Sequence, residues 1–378
     1  VSNSTRWNLG DGTITGNEPS ANVPDFTALD HHLKLVQVGT QTVFEQTPVE
    51  LAEQGVVFTD FHSALEEIPE LIEEFFMSSV KYDDDKLAAY HTAYFNSGAV
   101  LYIPDNVEIT EPIEGIFYQD SDSNVPFNKH IMIIAGKNSK ISYLERLESR
   151  GEGSDKVTAN ITVEVIARSG AQVKFAAIDR LGENVTAYIS RRGMELGNDA
   201  SIDWAIGVMN EGNVVADFDS DLIGNGSHAD LKVVSSGRQV QGIDTRVTNY
   251  GCNSIGNILQ HGVIKATLTF NGIGHIIKGA KGADAQQESR VLMLSDQARS
   301  DANPILLIDE NDVTAGHAAS IGQVDPEDMY YLMSRGLDKA TAERLVVRGF
   351  LGSVIVEIPV KEVRDEMIAT IEEKLSKR

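Results

Sequence analysis

Ala171-Gln172-Val173-Lys174-Phe175, Ala200-Ser201-Ile202-Asp203-Trp204 and Ala229-Asp230-Leu231-Lys232-Val233 share one pattern. A small residue, an aliphatic one and a bulky one stand at alternate positions, and the copies begin at 171, 200 and 229, an even spacing. A turn-forming stretch precedes each: Ser169-Gly170, Gly197-Asn198-Asp199 and Gly224-Asn225-Gly226-Ser227. Looser copies are Ser139-x-Ile141-x-Tyr143 upstream and Ala266-x-Leu268-x-Phe270 downstream. Side chains of a strand alternate between faces, so each copy sends its three patterned residues to one side. A fixed period of strand plus turn marks a solenoid, in which equivalent positions stack coil upon coil. The small residue then belongs at the bend and the bulky ones fill the interior.

Working outward, period-two alternation runs from about Ser97 to Ile308, as in Ala99, Leu101, Ile103 and again in Ile161, Val163, Val165. No helix-length amphipathic run separates the strands, which disfavours a doubly wound α/β fold. The expected fold is mainly β: a right-handed parallel β-helix over 97–320. An antiparallel sandwich with accidental spacing is the alternative at this level. Residues 1–96 read as an N-terminal mixed segment with helices, at Ser63–Ile68, past Pro69 at Leu71–Phe76, and over 86–96 after Asp83-Asp84-Asp85. That acidic triplet reads as a solvated helix start. Residues 325–378 read as a small helical domain. Asp325-Pro326 opens one helix that stops near Gly336, Asp338 caps a second, and Ile358-Pro359 precedes a third. The third carries Val360, Val363, Met367, Ile368, Ile371 and Leu375 as an apolar stripe. About 50 residues bury little alone, so this tail is expected to pack on the solenoid end, on a partner, or both.

The chain has 378 residues, 32 Lys+Arg against 56 Asp+Glu, and a formal net charge of −24. That balance argues against nucleic-acid binding, which needs clustered cations to replace phosphate counterions. It also disfavours adsorption on anionic membrane. The longest apolar runs, such as Ile131-Met132-Ile133-Ile134-Ala135, are far too short to span a bilayer. A single Cys, Cys252, forms no internal disulfide and suits a reducing compartment. The chain opens without a basic stretch followed by an apolar one, so no signal peptide is expected. Because it begins at Val1 rather than Met, a missing N-terminal piece is expected. The expected localisation is cytoplasmic.

Catalytic signatures are sparse. The nine His are scattered, with no HExxH and no Cys pair at zinc spacing. There is no P-loop and no GxSxG elbow. Gly272-x-Gly274 followed by Gly279 misses the dinucleotide spacing and reads as turn glycines. Asp217, Asp219 and Asp221 fall on one strand face, a geometry suited to a cation or a glycosidic bond. An acidic solvated face is the plainer reading. Cys252, in the turn-like Tyr250-Gly251-Cys252-Asn253-Ser254, reads as buried and inert. His317 stands among small residues in Thr314-Ala315-Gly316-His317-Ala318-Ala319-Ser320, and a lone His is usually a satisfied structural residue.

The segment from His261 to Phe350 resembles the SufB/SufD family of iron–sulfur cluster assembly scaffolds. Gly262-Val263-Ile264, Phe270-x-Gly272, Ala285-Gln286-Gln287 and Leu292-Met293-Leu294-Ser295 carry the likeness. Pro304-Ile305-Leu306-Leu307-Ile308, Asp312-Val313, His317, Gly322-x-Val324, Tyr330-Tyr331-Leu332-Met333-Ser334-Arg335-Gly336-Leu337, Ala342 and Gly349-Phe350 continue it. Weaker similarity reaches back through Glu111-Pro112-Ile113, Ile103-Pro104 and Gly98 to Thr5-Arg6-Trp7-Asn8, so it covers nearly the whole chain. The SufB branch carries cysteines near the solenoid's end. Here Ala315 stands two before His317 and Cys252 lies elsewhere, which points to the SufD-like branch.

The resemblance implies a non-enzymatic scaffold that pairs with SufB through the β-helix and, in a complex with two copies of the ABC ATPase SufC, docks SufC through the C-terminal helices. It implies that Tyr331, Leu332, Arg335, Leu337, Leu345 and Phe350 serve that docking. It makes His317 the candidate for cluster assembly at the shared interface, as iron ligand or proton carrier. No cofactor is expected to be held tightly by this chain alone, with iron or a transient cluster bound at a partner interface. Two departures stand out. His317-Ala318-Ala319-Ser320 replaces the family's His-Gly-Ala-Thr, so Ala318 is expected to restrict a backbone turn. Asn249 occupies a position where the family often has His. The rival readings are a secreted-type β-helix polysaccharide hydrolase or lyase using Asp217, Asp219 and Asp221, and a stand-alone structural homodimer, the form an isolated chain would take.

Overall fold

The structure is a computed structural model that describes residues 33–123, 125–355 and 361–376. Two long sheets face each other across a continuous apolar interior. From Ser97 to Gln323 successive strands fall alternately in one sheet and the other, and strands one coil apart pair in parallel. This is a parallel β-helix of about eight turns. Coil length varies, because bonded partners on neighbouring coils lie 27, 29 or 32 residues apart.

The bends explain the sequence repeat. One residue per coil takes a left-handed backbone at the same corner: Asn106, Asn138, Gly170, Asp199, Gly226, Asn253 and Gly282, with φ between 54° and 73°. Asn, Asp and Gly are the residues that enter this region at least cost. The residue after each is small and buried in most coils, namely Ser139, Ala171, Ala200, Ser227, Ser254 and Ala283. Ser139, Ser227 and Ser254 close the bend by donating to a carbonyl three residues back, at 2.6–2.8 Å. Gly224 and Gly251 sit so close to the coil beneath that a Cβ would fall about 2 Å from a carbonyl oxygen.

This geometry corrects the repeat. Ile141, Val173 and Ile202 are in register, as are Tyr143, Phe175 and Trp204. Their rings stack along the interior, with centroids 5.4 Å and 4.8 Å apart. Ile202, however, pairs with Ala229 and Trp204 with Leu231. The third copy is therefore displaced by two residues, and Ser227 rather than Ala229 occupies the bend. A two-residue slip leaves every side chain on its expected face, which is why the pattern concealed it. The downstream copy, Ala266-x-Leu268-x-Phe270, belongs to the opposite sheet.

The N-terminal segment is woven into the solenoid. Lys34–Val38 pairs parallel with Ile113–Asp120, and Gln41–Gln46 pairs antiparallel with Lys34–Val38. Val57–Asp60 pairs antiparallel with Ser97–Ile103. Both sheets thus begin with an antiparallel strand. Four helices follow from this region: α1 (Val49–Ala52), α2 (Phe61–Glu67), α3 (Pro69–Phe75) and α4 (Lys86–Tyr94). Asp85 caps α4 by accepting from the Leu87 and Ala88 amides, so the acidic triplet is a helix start. Phe61, Ile72 and Phe75 cover Met132, Ile134 and Ile166 on the outer face of the second, nine-stranded sheet.

The tail comprises α5 (Pro326–Ser334), α6 (Lys339–Ile355) and α7 (Lys361–Ser376). Asp325 accepts from the Glu327 amide and Asp338 from the Thr341 amide, as the cap residues imply. The tail does not sit on the solenoid end. Val347, Leu351, Val354, Val363, Met367 and Ile371 pack on Ala176, Ile178, Ala205, Val234 and Val263, along the outer face of the first, ten-stranded sheet. Gly207 leaves the space that the Met367 methyl fills, 2.9 Å from where a Cβ would be. Arg146 bonds Glu366 at 2.8 Å, and Lys374 pairs with Glu211 at 3.0 Å and donates to Ser236 O at 3.0 Å. Residues 1–32, Ile358-Pro359 and Thr5-Arg6-Trp7-Asn8 lie outside the described residues, as does Val360.

Candidate functional site

The two ends of the solenoid each leave one edge strand per sheet and differ in exposure, since Gln41–Gln46 and Val57–Asp60 at the start are half-buried or buried along most of their length. The last strand of each sheet, Arg299–Ile308 and Thr314–Gln323, pairs on one side only. Their burial drops accordingly, and Ile305, Leu307, Ile308 and Ile321 are 40–45% exposed. Ile308 and Ile321 occupy interior positions, in register with the buried Ile276 and Val291. Their exposure is that of a core cut open across the axis. An unpaired, flat, apolar edge is a template for strand pairing.

His317 lies in the last strand, in register with Gln287. Gln287 is a buried interior residue that donates to Ile305 O at 2.8 Å, while its Oε1 has no partner. His317 therefore occupies an interior register position at the open end, and it is exposed. Among the described residues it belongs to no group of three or more His, Cys, Asp or Glu at metal-holding spacing. Ala318 is mid-strand, opposite Glu288, so the added methyl meets no turn. Asn249 is buried in the interior and donates to Ser254 Oγ at 2.9 Å.

The tail residues divide. Tyr330, Tyr331, Met333 and Leu345 are exposed, at 44–76%. The Arg335 guanidinium lies over the Tyr331 ring at 5.1 Å. Leu332 and Leu337 are half-buried. Leu345 borders an apolar cleft between α6 and α7, about 400 Å³ in volume, lined also by Arg344, Arg348, Leu351, Ile355 and Ile368. Phe350 instead faces the solenoid. Its ring stacks on His261 at 5.1 Å and its carbonyl oxygen lies 3.4 Å from His261 Nδ1.

The acidic run Asp217, Asp219, Asp221 shares one outer strand face, as the alternation implies, but it is not a free carboxylate trio. Arg192 on the adjacent strand bonds both Asp217 and Asp219. The cleft beside them, about 380 Å³, also carries Arg246, and the Asp219 carboxyl is pushed well up by burial and by Asp217. Cys252 is half-buried at a bend rather than fully buried, with its amide bonded to Asn225 Oδ1 at 2.8 Å.

Two features escaped the sequence. One is a buried chain of hydrogen bonds joining α4 to the second sheet: Asn160 Oδ1 to His91 Nδ1 at 3.0 Å, His91 Nε2 to His130 Nδ1 at 3.0 Å, and His130 Nε2 to Glu164 Oε2 at 3.1 Å. Burial, reinforced by His130, lowers the His91 pKa to about 3. The other is a group on the outer face of the first sheet, Asp203, His228 and Asp230. Neither shows as a motif, because Asp203 meets His228 and Asp230 only through strand register, and His91 meets His130 and Glu164 only when α4 packs on the second sheet.

The described residues thus build a parallel β-helix with an exposed far end and a helical tail docked along its side. The chain belongs to the SufB/SufD family. Residues 117–350 match the family model for the SufBD core domain of the SUF system for FeS cluster assembly, and residues 18–114 match that for the SufBD protein N-terminal region. The chain is 43% identical to the iron–sulfur cluster assembly protein SufD of Bacillus subtilis, over 98% of this chain and 88% of that protein. It is 27% identical to an iron–sulfur cluster assembly SufBD family protein of Staphylococcus epidermidis, over 86% of this chain and 70% of that one. A Staphylococcus aureus relative of the same description is 26% identical over the same shares. This is a SufD-like iron–sulfur cluster assembly protein. Among the described residues no helix is long and apolar enough to cross a membrane.

Proposed function

We propose that the chain is a non-catalytic scaffold subunit that pairs with SufB through the open end of its β-helix and docks the SufC ATPase through its C-terminal helices. The observation that carries this reading is the open end itself. Two exposed strands with one edge each left free, interior residues left exposed at Ile308 and Ile321, and His317 at an interior register position stand together there. A second β-helix would satisfy the edge groups and cover the exposed apolar side chains. His317 would meet the partner at that seam and act on iron or on a nascent cluster, which is the cargo of the assembly. Tyr331, Leu332, Arg335, Leu337 and Leu345 present the SufC face. Phe350 holds α6 to the solenoid and acts on docking through position.

SufC dimerising on ATP would draw on both tails and bias two arrangements of the seam, which is coupling in the thermodynamic sense. The test is His317→Ala in cells that depend on this system. Cluster formation should fall at unchanged protein level, and normal cluster formation would contradict the role of His317. The polysaccharide reading finds no support in the carboxylates, since Arg192 already occupies the space between Asp217 and Asp219.

A further inference from the structure

We propose that Asp203, His228 and Asp230 form a binding site for a divalent first-row transition-metal ion on the outer face of the first sheet, with ligands distinct from His317 of the open end. Asp203 and Asp230 are directly opposite each other on neighbouring parallel strands, Ser201–Val208 and His228–Gly237. His228 is two residues before Asp230 and so shares its face. One ligand atom from each of the three lies within 4.8 Å of the others. His228 Nε2 is 3.0 Å from Asp230 Oδ1. Asn257, opposite Asp230 on the next strand, brings its side-chain amide to 2.8 Å from Asp230 Oδ1.

Two further observations favour a cation. All three residues are half-buried in the middle of a rigid ladder, so their spacing is set by strand separation and not by flexible loops. The Asp203 carboxylate has no hydrogen-bond partner among the described residues, although it faces the Asp230 carboxylate. Two carboxylates held side by side repel, and the repulsion is relieved by a shared positive charge. The Lys232 ammonium, 3.3 Å from Asp230 Oδ2, supplies part of that charge, and Lys174, opposite Asp203 on the preceding strand, supplies more from the other side.

The donor set, one imidazole and two carboxylates, suits zinc, manganese or ferrous ion better than magnesium or calcium, which take all-oxygen shells. Asn257 would add an amide oxygen after its side chain turns over. A groove of about 650 Å³ that runs from Asp230, Lys232 and Asn257 past His261 to His317 gives the ion access from solvent, so the site and the open end share one groove. No covalent or redox step is involved: the ion binds and displaces solvent and the Lys232 contact.

The experiment is isothermal titration of the metal-stripped, tag-free full chain with Zn²⁺ and with Mn²⁺, in a His317→Ala background that removes any contribution from the open end. The expected result is one ion per chain, with affinity reduced at least tenfold by His228→Ala and by Asp203→Asn. Lys232→Met is expected to move the opposite way, tightening binding by removing the competing charge. Circular dichroism and a thermal melt confirm that each variant is folded. No heat of binding in the folded parent, affinity unchanged by both ligand substitutions, or weaker binding in Lys232→Met would each overturn the site.

Discussion

Arg191 lies inside the solenoid, fully buried, between Asp179 and Glu145 of the opposite sheet. Its guanidinium grips Asp179 at 2.7 and 2.9 Å and Glu145 at 2.7 Å. Burial opposes the Arg191 charge, but the two carboxylates outweigh it and hold the group above its ordinary range. Removing the cation would leave two carboxylates in an apolar core. Arg191→Met should therefore destabilise the fold by about 3–5 kcal/mol, read as a lower urea midpoint. A loss below about 1 kcal/mol would mean that the triad is not needed where it stands. Nothing in the sequence distinguishes Arg191 from its neighbour Arg192, and only the strand alternation turns one inward and the other outward.

At the scale of elements, the strands were legible because alternation is a local property, and the tail helices were legible from their caps. Corner geometry was half legible. Gly, Asn and Asp at the turns were visible, but a coil that shortens to 27 residues shifts the copies by two without breaking the in–out pattern. The docking face of the tail was written in breaks of alternation, such as Phe175-Ala176-Ala177-Ile178 and Trp204-Ala205-Ile206, where both faces of a strand are apolar. Met367→Asp, which puts a charge into that contact, should release α7 and sharply raise its cleavage by protease while the β-rich circular dichroism persists. Unchanged protection would contradict the packing assigned to it.

The α4 contact has a pH signature. His91 stays neutral in the fold down to about pH 3, whereas in the unfolded chain it titrates near 6.5. Between those values the unfolded state binds more protons, so stability rises with pH and falls as pH drops below about 6.5. By pH 5 the cost is about 2 kcal/mol. Urea midpoints at pH 7 and pH 5 should fall further for the wild type than for His91→Asn. Equal slopes would contradict a neutral buried His91.

At the scale of the whole molecule, the two proposed interaction surfaces follow one another in the sequence, the exposed solenoid end over 299–323 and the tail face over 331–345. Most of this plan was readable from period and resemblance. The seating of the tail was legible in part, because breaks of alternation mark an apolar outer face without naming the segment that covers it. The seating also decides how the plan is tested. Deleting 325–378 would bare Ile178, Val234 and Val263 and confound loss of docking with loss of solubility. Substitutions at exposed positions avoid that. The decisive measurement is light scattering coupled to size exclusion on the full chain mixed with SufB and SufC. Ile308→Asp with Ile321→Asp should lose SufB and keep SufC, and Tyr331→Asp with Leu345→Asp should lose SufC and keep SufB. Loss of both partners together, of neither, or a wild-type chain that forms only a dimer of itself would contradict the account.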